Sequence, residues 1–264
     1  GSITVPARVL SELINNTGSG NLQLTVKDDH LYITGTGLKA NIAGMPADEF
    51  PVLPELNTEI AVPLPVELLV TAINKVAYAA AVDDSRPVLT AIQMKSTDQS
   101  LELAATDGFR LSWVKIPQSL KLEGEKNWLI PARALQEISR LSSDVSELQF
   151  NLTDNHSQVI FQFGKITLIT RLVGGDFPDF KKIMPDSGDT IVEMEKSELL
   201  RAMKLAAIFA RESANIVKLS ADASQVVISA NAPQVGDQKS RVEALIDGPQ
   251  VQIAFNYRYV LDYL

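Results

Sequence analysis

Three arginines, Arg8, Arg133 and Arg258, stand 125 residues apart in both steps, inside the similar segments VPARVLSEL, IPARALQEI and FNYRYVLDY. A guanidinium is permanently charged and matches phosphate geometry, so recurring arginines are candidates for sequence-independent contacts to a nucleic-acid backbone. Lys75, Arg140, Arg201 and Lys204 also face away from the apolar stripes of their segments. Glu67, Glu137 and Glu198 share those segments, so an ordinary solvated helix surface explains the same charges equally well. Groups for catalysis are sparse. The two histidines, His30 and His156, each lie beside a predicted hairpin turn, where a solvated turn residue is the simpler reading. Asp83–Asp84–Ser85 has no histidine at a motif spacing, Asp107–Gly108 signals a turn, and Gly174–Gly175 lacks the pattern of a phosphate loop. Zero cysteines remove disulfides and thiolate metal sites, and no converging ligands suggest a metal. Neither catalysis nor a cofactor is expected.

The elements that carry these cations repeat. A period of 125 suits a whole small domain, whereas solenoid repeats run to roughly 20–50 residues. A second kind of segment interleaves, IAVPLPVELLVTAI from Ile60 and IVEMEKSELLRAMK from Ile191, 131 residues apart. Pro51, in MPADEFPVLP, and Pro178, in GGDFPDFKKIMP, are 127 apart. The order is b–a–b–a–b. Apolar spacing predicts helices over 65–80 (Leu68, Leu69, Ala72, Ile73, Val76), 131–141 (Leu135, Ile138, Leu141) and 197–210 (Leu199, Leu200, Met203, Ile208). Proline at the first turn suits the 65 and 131 starts. Alternating runs bounded by turn residues predict strands at LQLTV, HLYITG and KANIAG; TAIQMK, SLELAATD and FRLSWVKI; ELQFNL, QVIFQF and KITLITRLV; and IVKLSA, QVVISA and VEALID. Each half is then one helix plus a small antiparallel sheet, which is an α+β architecture.

The 264 residues are 45% hydrophobic and 21% charged, an ordinary globular composition, with no apolar run long enough for a membrane span and no signal peptide. Gly1–Ser2 reads as a remnant of expression, and the absence of cysteine fits a reducing cytoplasm. A net charge of −8 argues against nucleic acid unless the charges segregate. They do so in part: Asp28, Asp29, Asp48, Glu49, Asp83, Asp84, Asp176 and Asp179 fall in predicted loops and strands, leaving the helices modestly basic.

The repeat, together with AATDGFRLSWVKI at 104–116 and RLVGGDFPDFKKIMP at 171–185, resembles the bacterial sliding-clamp family, the β subunit of DNA polymerase III. The pairing of a TDG-x-RL strand with a downstream FPD-x-(K/R)(K/R) segment is specific to that family. The resemblance implies a clamp fold with helices lining the inner face of a ring. It divides the chain into the second half of a first domain (1–57), a complete second domain (58–188) and the first part of a third (189–264). It further implies a cytoplasmic, head-to-tail homodimer around duplex DNA, held without sequence preference. The ring would tether the replicative polymerase, the clamp loader and repair proteins through their short linear motifs.

Carried over by position, the partner-peptide pocket comprises Leu89, Thr106, Gly108, Phe109, Arg110, Leu111, Pro178, Lys182, Ile183, Asn256 and Tyr259. Core packing is the competing reading for Leu111 and Ile183. Phe109 stands where many relatives have histidine, and Lys182 where arginine is common. DNA-facing positions are Arg8, Lys75, Arg86, Arg133, Arg140, Arg201, Lys204 and Arg258. The subunit interface matches Ala40 and Ile42 with Ile208 and Phe209 of a second copy, core packing again being the alternative. The half-units at 3–57 and 191–248 each lack a partner half, so they are expected to cover each other between copies. The alternative from a different class is a repeat-built scaffold that binds proteins and does not encircle DNA, which the charge of −8 favours.

Overall fold

The computed structural model describes residues 1–50, 53–54, 61–117, 120, 125–153 and 156–264. Pro51, Ile60 and the expected boundary at 57/58 lie outside the described residues. Packing divides the chain into two units, Gly1–Glu55 and Leu56–Leu264.

The first unit is helix α1 (Ala7–Asn15) and a meander of β1 (Gln23–Lys27), β2 (His30–Gly35) and β3 (Leu38–Ala43). The β1–β2 turn places Asp28 and Asp29 at φ 48° and 57°, the left-handed pair that a two-residue hairpin requires. Leu31, Ile33 and Ile42 are its buried core.

In the second unit, β4 (Val62–Pro65) leads into α2 (Val66–Val76), followed by β5 (Ala91–Ser96), β6 (Leu101–Thr106) and β7 (Leu111–Ile116). Then β8 (Lys126–Pro131) leads into α3 (Ala132–Leu141), followed by β9 (Glu147–Leu152), β10 (Gln158–Phe163) and β11 (Ile166–Arg171). The third turn of the pattern is β12 (Ile191–Met194), α4 (Lys196–Ala210), β13 (Ile216–Asp222), β14 (Gln225–Ala232) and β15 (Gly236–Asp247). Finally β16 (Val251–Asn256) leads into α5 (Tyr257–Tyr263).

The lead-in strands lie immediately before the helices, in residues where no strand was expected. They cross between half-units: β4 pairs with β9, and β8 pairs with β5, giving sheets ordered β11-β10-β9-β4 and β7-β6-β5-β8. One core serves both sheets and α2 and α3, centred on Phe150, Phe161, Ile73 and Leu135. In the last sheet, ordered β12-β15-β14-β13-β16, β16 pairs with β13 as β8 does with β5, whereas β12 pairs with β15. Its core lies between that sheet and α4.

Each helix follows a residue with φ between −48° and −68° and ψ between 111° and 127°: Pro6, Pro65, Pro131, Glu195 and Asn256. Proline is locked near that φ, so it serves here as the last extended residue and not, as expected, inside the first turn. The 65–80 helix ends early, its last part being a 3₁₀ turn at Ala77–Ala79. Two residues assigned to apolar stripes are corrected: Leu68 is 43% exposed and Ile208 46%, because the sheets cover a narrower arc of each helix than the spacing suggested.

Candidate functional site

The TDGFR turn organises itself. Asp107 Oδ1 accepts the backbone N–H groups of Phe109 (2.9 Å) and Arg110 (3.0 Å). Thr106 Oγ1 accepts the Gly108 N–H at 3.0 Å and donates to the Arg110 carbonyl at 2.6 Å. These short-range bonds explain why Thr, Asp and Gly occur in this order. Gly108 has φ 91°, and a Cβ there would stand 3.3 Å from the Arg86 guanidinium. The Arg86 guanidinium, expected at DNA, lies beside the turn, and the residue is exposed.

Arg110 joins three segments. Its Nε donates to Asp107 Oδ2 (3.0 Å) and its Nη1 to Asp262 Oδ2 (2.6 Å). The guanidinium also lies over the rings of Tyr259, 4.6 Å from the centroid, and Tyr78, 5.5 Å away. Burial works against its charge, but the two carboxylates outweigh that and raise its pKa. The side chain is 18% exposed and holds α5 against the TDGFR turn.

The structure thus brings Thr106, Gly108, Phe109, Arg110, Leu111 and Tyr259 together, with Thr106 and Leu111 paired across β6 and β7. Leu89 is buried in a 3₁₀ turn whose carbonyl accepts the Ala81 N–H. Phe109 and Ile183 are 80% and 79% exposed, so core packing does not account for either. Pro178 and Lys182 are exposed on the same stretch as Ile183, and Asp179 beside Lys182 raises that ammonium's pKa.

Asn256 has a second role. Its Oδ1 accepts the Arg258 N–H at 3.0 Å and caps α5, the one α-helix among the described residues with a side-chain cap. Asn256→Ala should therefore cost about 1 kcal/mol in urea unfolding while Asn256→Ser stays near wild type. Equal stability of all three proteins would leave Asn256 with no capping role.

Sequence reasoning missed Glu102. It is the second residue of β6, its side chain 9% exposed, accepting from Lys181 Nζ at 2.8 Å and Trp113 Nε1 at 3.3 Å. Burial pushes its pKa up, but Lys181, the indole and Lys115 together outweigh that and hold it below its ordinary value. The available signal was a carboxylate inside the apolar run LELAA.

The cations of the helices are exposed, and several are paired on their own helix: Arg8 with Glu12, Arg140 with Glu137 and Arg201 with Glu198. Such surface pairs contribute little to stability. Lys75, Arg133 and Lys204 are exposed on α2, α3 and α4, and Arg258 lies beside its neighbour Tyr257. Ser139 Oγ meets Asn74 Oδ1 at 3.0 Å, joining α2 to α3. Of the expected interface residues, Ile42 lies in the core of the first unit at 7% exposure and Ala40 is half-buried. Ile208 is exposed, and Phe209 packs partly on the α4 core. Among the described residues no three His, Cys, Asp or Glu side chains converge as metal ligands, and no helix is long and apolar enough to cross a membrane.

Two family models match this chain: the central domain of the DNA polymerase III beta subunit over residues 63–179, and its C-terminal domain over 181–264. The beta sliding clamp of Bacillus subtilis is 31% identical over 268 residues, covering 100% of this chain and 71% of the relative. That of Staphylococcus aureus is 29% identical over 267 residues, covering 100% and 70%. The solved DNA polymerase sliding clamp of B. subtilis superposes with a TM-score of 0.84 at 30% identity, covering 100% of this chain and 70% of that one. The beta chain of DNA polymerase III from Streptococcus pneumoniae gives a TM-score of 0.84 at 25% identity, with coverage of 100% and 70%.

Proposed function

Since this chain belongs to the family of DNA polymerase III β subunits, the sliding clamps, we propose that it works in a homodimeric ring closed around duplex DNA. As a sliding clamp it is a processivity factor and not an enzyme. What supports the ring reading is the recurring unit itself, in which every helix that follows a lead-in segment carries an exposed arginine or lysine. Arg8, Lys75, Arg133, Arg140, Arg201, Lys204 and Arg258 would meet phosphates weakly and without regard to sequence, so the ring slides. Arg86 would contribute less, since its guanidinium lies beside the Gly108 turn.

Residues 1–57, 58–188 and 189–264 would then be parts of three clamp domains. Copies would join through Ala40 and Ile42 against Ile208 and Phe209, working in the cytoplasm. Polymerase, clamp loader and repair proteins would dock by linear motifs at Leu89, the 106–111 turn, the 178–183 stretch, Asn256 and Tyr259. Tethering raises the polymerase's effective concentration at the primer end without any new contact to DNA.

The test is topological. Protein loaded onto a nicked circular plasmid should stay bound, and cutting the plasmid elsewhere should release it within minutes. Retention on the linear DNA would overturn encirclement. A scaffold that binds proteins and ignores DNA is favoured by the charge of −8 and by the pairing of Arg8, Arg140 and Arg201 with glutamates. It predicts no loading onto the circle at all.

A further inference from the structure

Both faces of β6 are buried, although the fold supplies a core for only one of them. Leu101, Leu103 and Ala105 face the large core, while Glu102, Ala104 and Thr106, on the other side, are 7%, 2% and 8% exposed. Trp113, Phe180 and Lys181 converge there. The Phe180 ring lies 6.3 Å from Trp113 and 6.4 Å from Phe177, and Phe180 is itself buried. Lys181 Nζ sits 5.5 Å over the Trp113 ring and 2.8 Å from Glu102 Oε2. Lys115 Nζ stands 3.9 Å from the other carboxylate oxygen.

A carboxylate this enclosed is tolerated only with a partner cation in a fixed place. That demand fixes the stretch bearing Lys181, which two residues later presents the exposed Ile183. A wall held in place before binding does not have to be ordered during it, and the saving appears as affinity.

We propose that Glu102, Lys181 and Trp113 form a positioning lock that sets the affinity of the partner-peptide pocket without touching the peptide. The lock rests on the pocket reading above for its function, but its structural effect can be read separately.

The test uses calorimetry with a clamp-binding peptide, and hydrogen exchange across the whole chain. Glu102→Gln keeps the shape and the Trp113 hydrogen bond, and so avoids an unpaired buried charge; Lys181→Met removes the cation. Each should weaken binding about five- to tenfold, with the double variant no worse than the weaker single, as coupled residues behave. Lys181→Arg should recover most of the loss, and Lys115→Met, which touches the same carboxylate from outside the stretch, should lose none. Faster exchange should be confined to 177–184. Additive losses, an equal loss in Lys115→Met, or unchanged exchange in 177–184 would each overturn the lock. If wild-type protein binds no peptide, the pocket reading fails, and the exchange pattern alone then decides the lock.

Discussion

Ile183→Ala should weaken binding of a clamp-binding peptide by about thirtyfold, the loss of about 2 kcal/mol that marks a hot-spot residue. Its unfolding midpoint should stay where it was. Both halves follow from one feature of the structure: Ile183 is 79% exposed, so its side chain contributes almost nothing to the fold. Burying such a side chain against a ligand is worth about 1.5–3 kcal/mol. Leu111→Ala is the informative contrast. Leu111 is half-buried and paired with Thr106 across β6 and β7, so its truncation should lower affinity and stability together. Calorimetry and urea unfolding on the two single variants separate the effects. Unchanged affinity in Ile183→Ala would remove the 178–183 stretch from the pocket.

The largest stability effect is expected at Phe161, which is 0% exposed and stands 5.5 Å from Phe150, itself 5.1 Å from Trp128. Phe161→Ala should cost about 3–5 kcal/mol, the sum of lost transfer energy and an unfilled cavity. Against a total of about 5–15 kcal/mol for a domain, that is a large share. Leu24→Ala provides the control: Leu24 is 54% exposed on β1, and its truncation should change stability by no more than about 0.5 kcal/mol. A loss below about 1 kcal/mol in Phe161→Ala, read from the urea midpoint, would mean that the two sheets do not share the core described above.

The strands at HLYITG, ELQFNL and QVIFQF were legible to the residue because short apolar-rich runs end there at turn residues, even though Val159, Ile160 and Phe161 are buried in succession. The lead-in strands β4 and β8 were not, since VPLP and KNWLIP contain prolines that demote a strand reading, and each runs into a helix without a break. Leu68 and Ile208 follow helical spacing yet face solvent, because spacing gives the side of a helix but not the width of its neighbour. At the site, the TDGFR turn could be read from local chemistry alone. The grip of Arg110 on Asp262 could not, because those residues are 152 apart in sequence and meet only through the folded chain. Glu102 stayed unread for the same reason, its partner Lys181 being 79 residues away.

The crossing of β4 and β8 between half-units also bears on how the protein reaches its native state. Neither half of 62–171 can complete its sheet alone, since Val62 must find Phe150 and Ala91 must find Pro131. Closing such long loops costs entropy before the pairing repays it, so this region should form slowly and in one step. The β1–β2–β3 meander needs only neighbouring residues and two tight turns, so it can form in microseconds to milliseconds. During synthesis β4 must wait, unpaired, until β9 has been made.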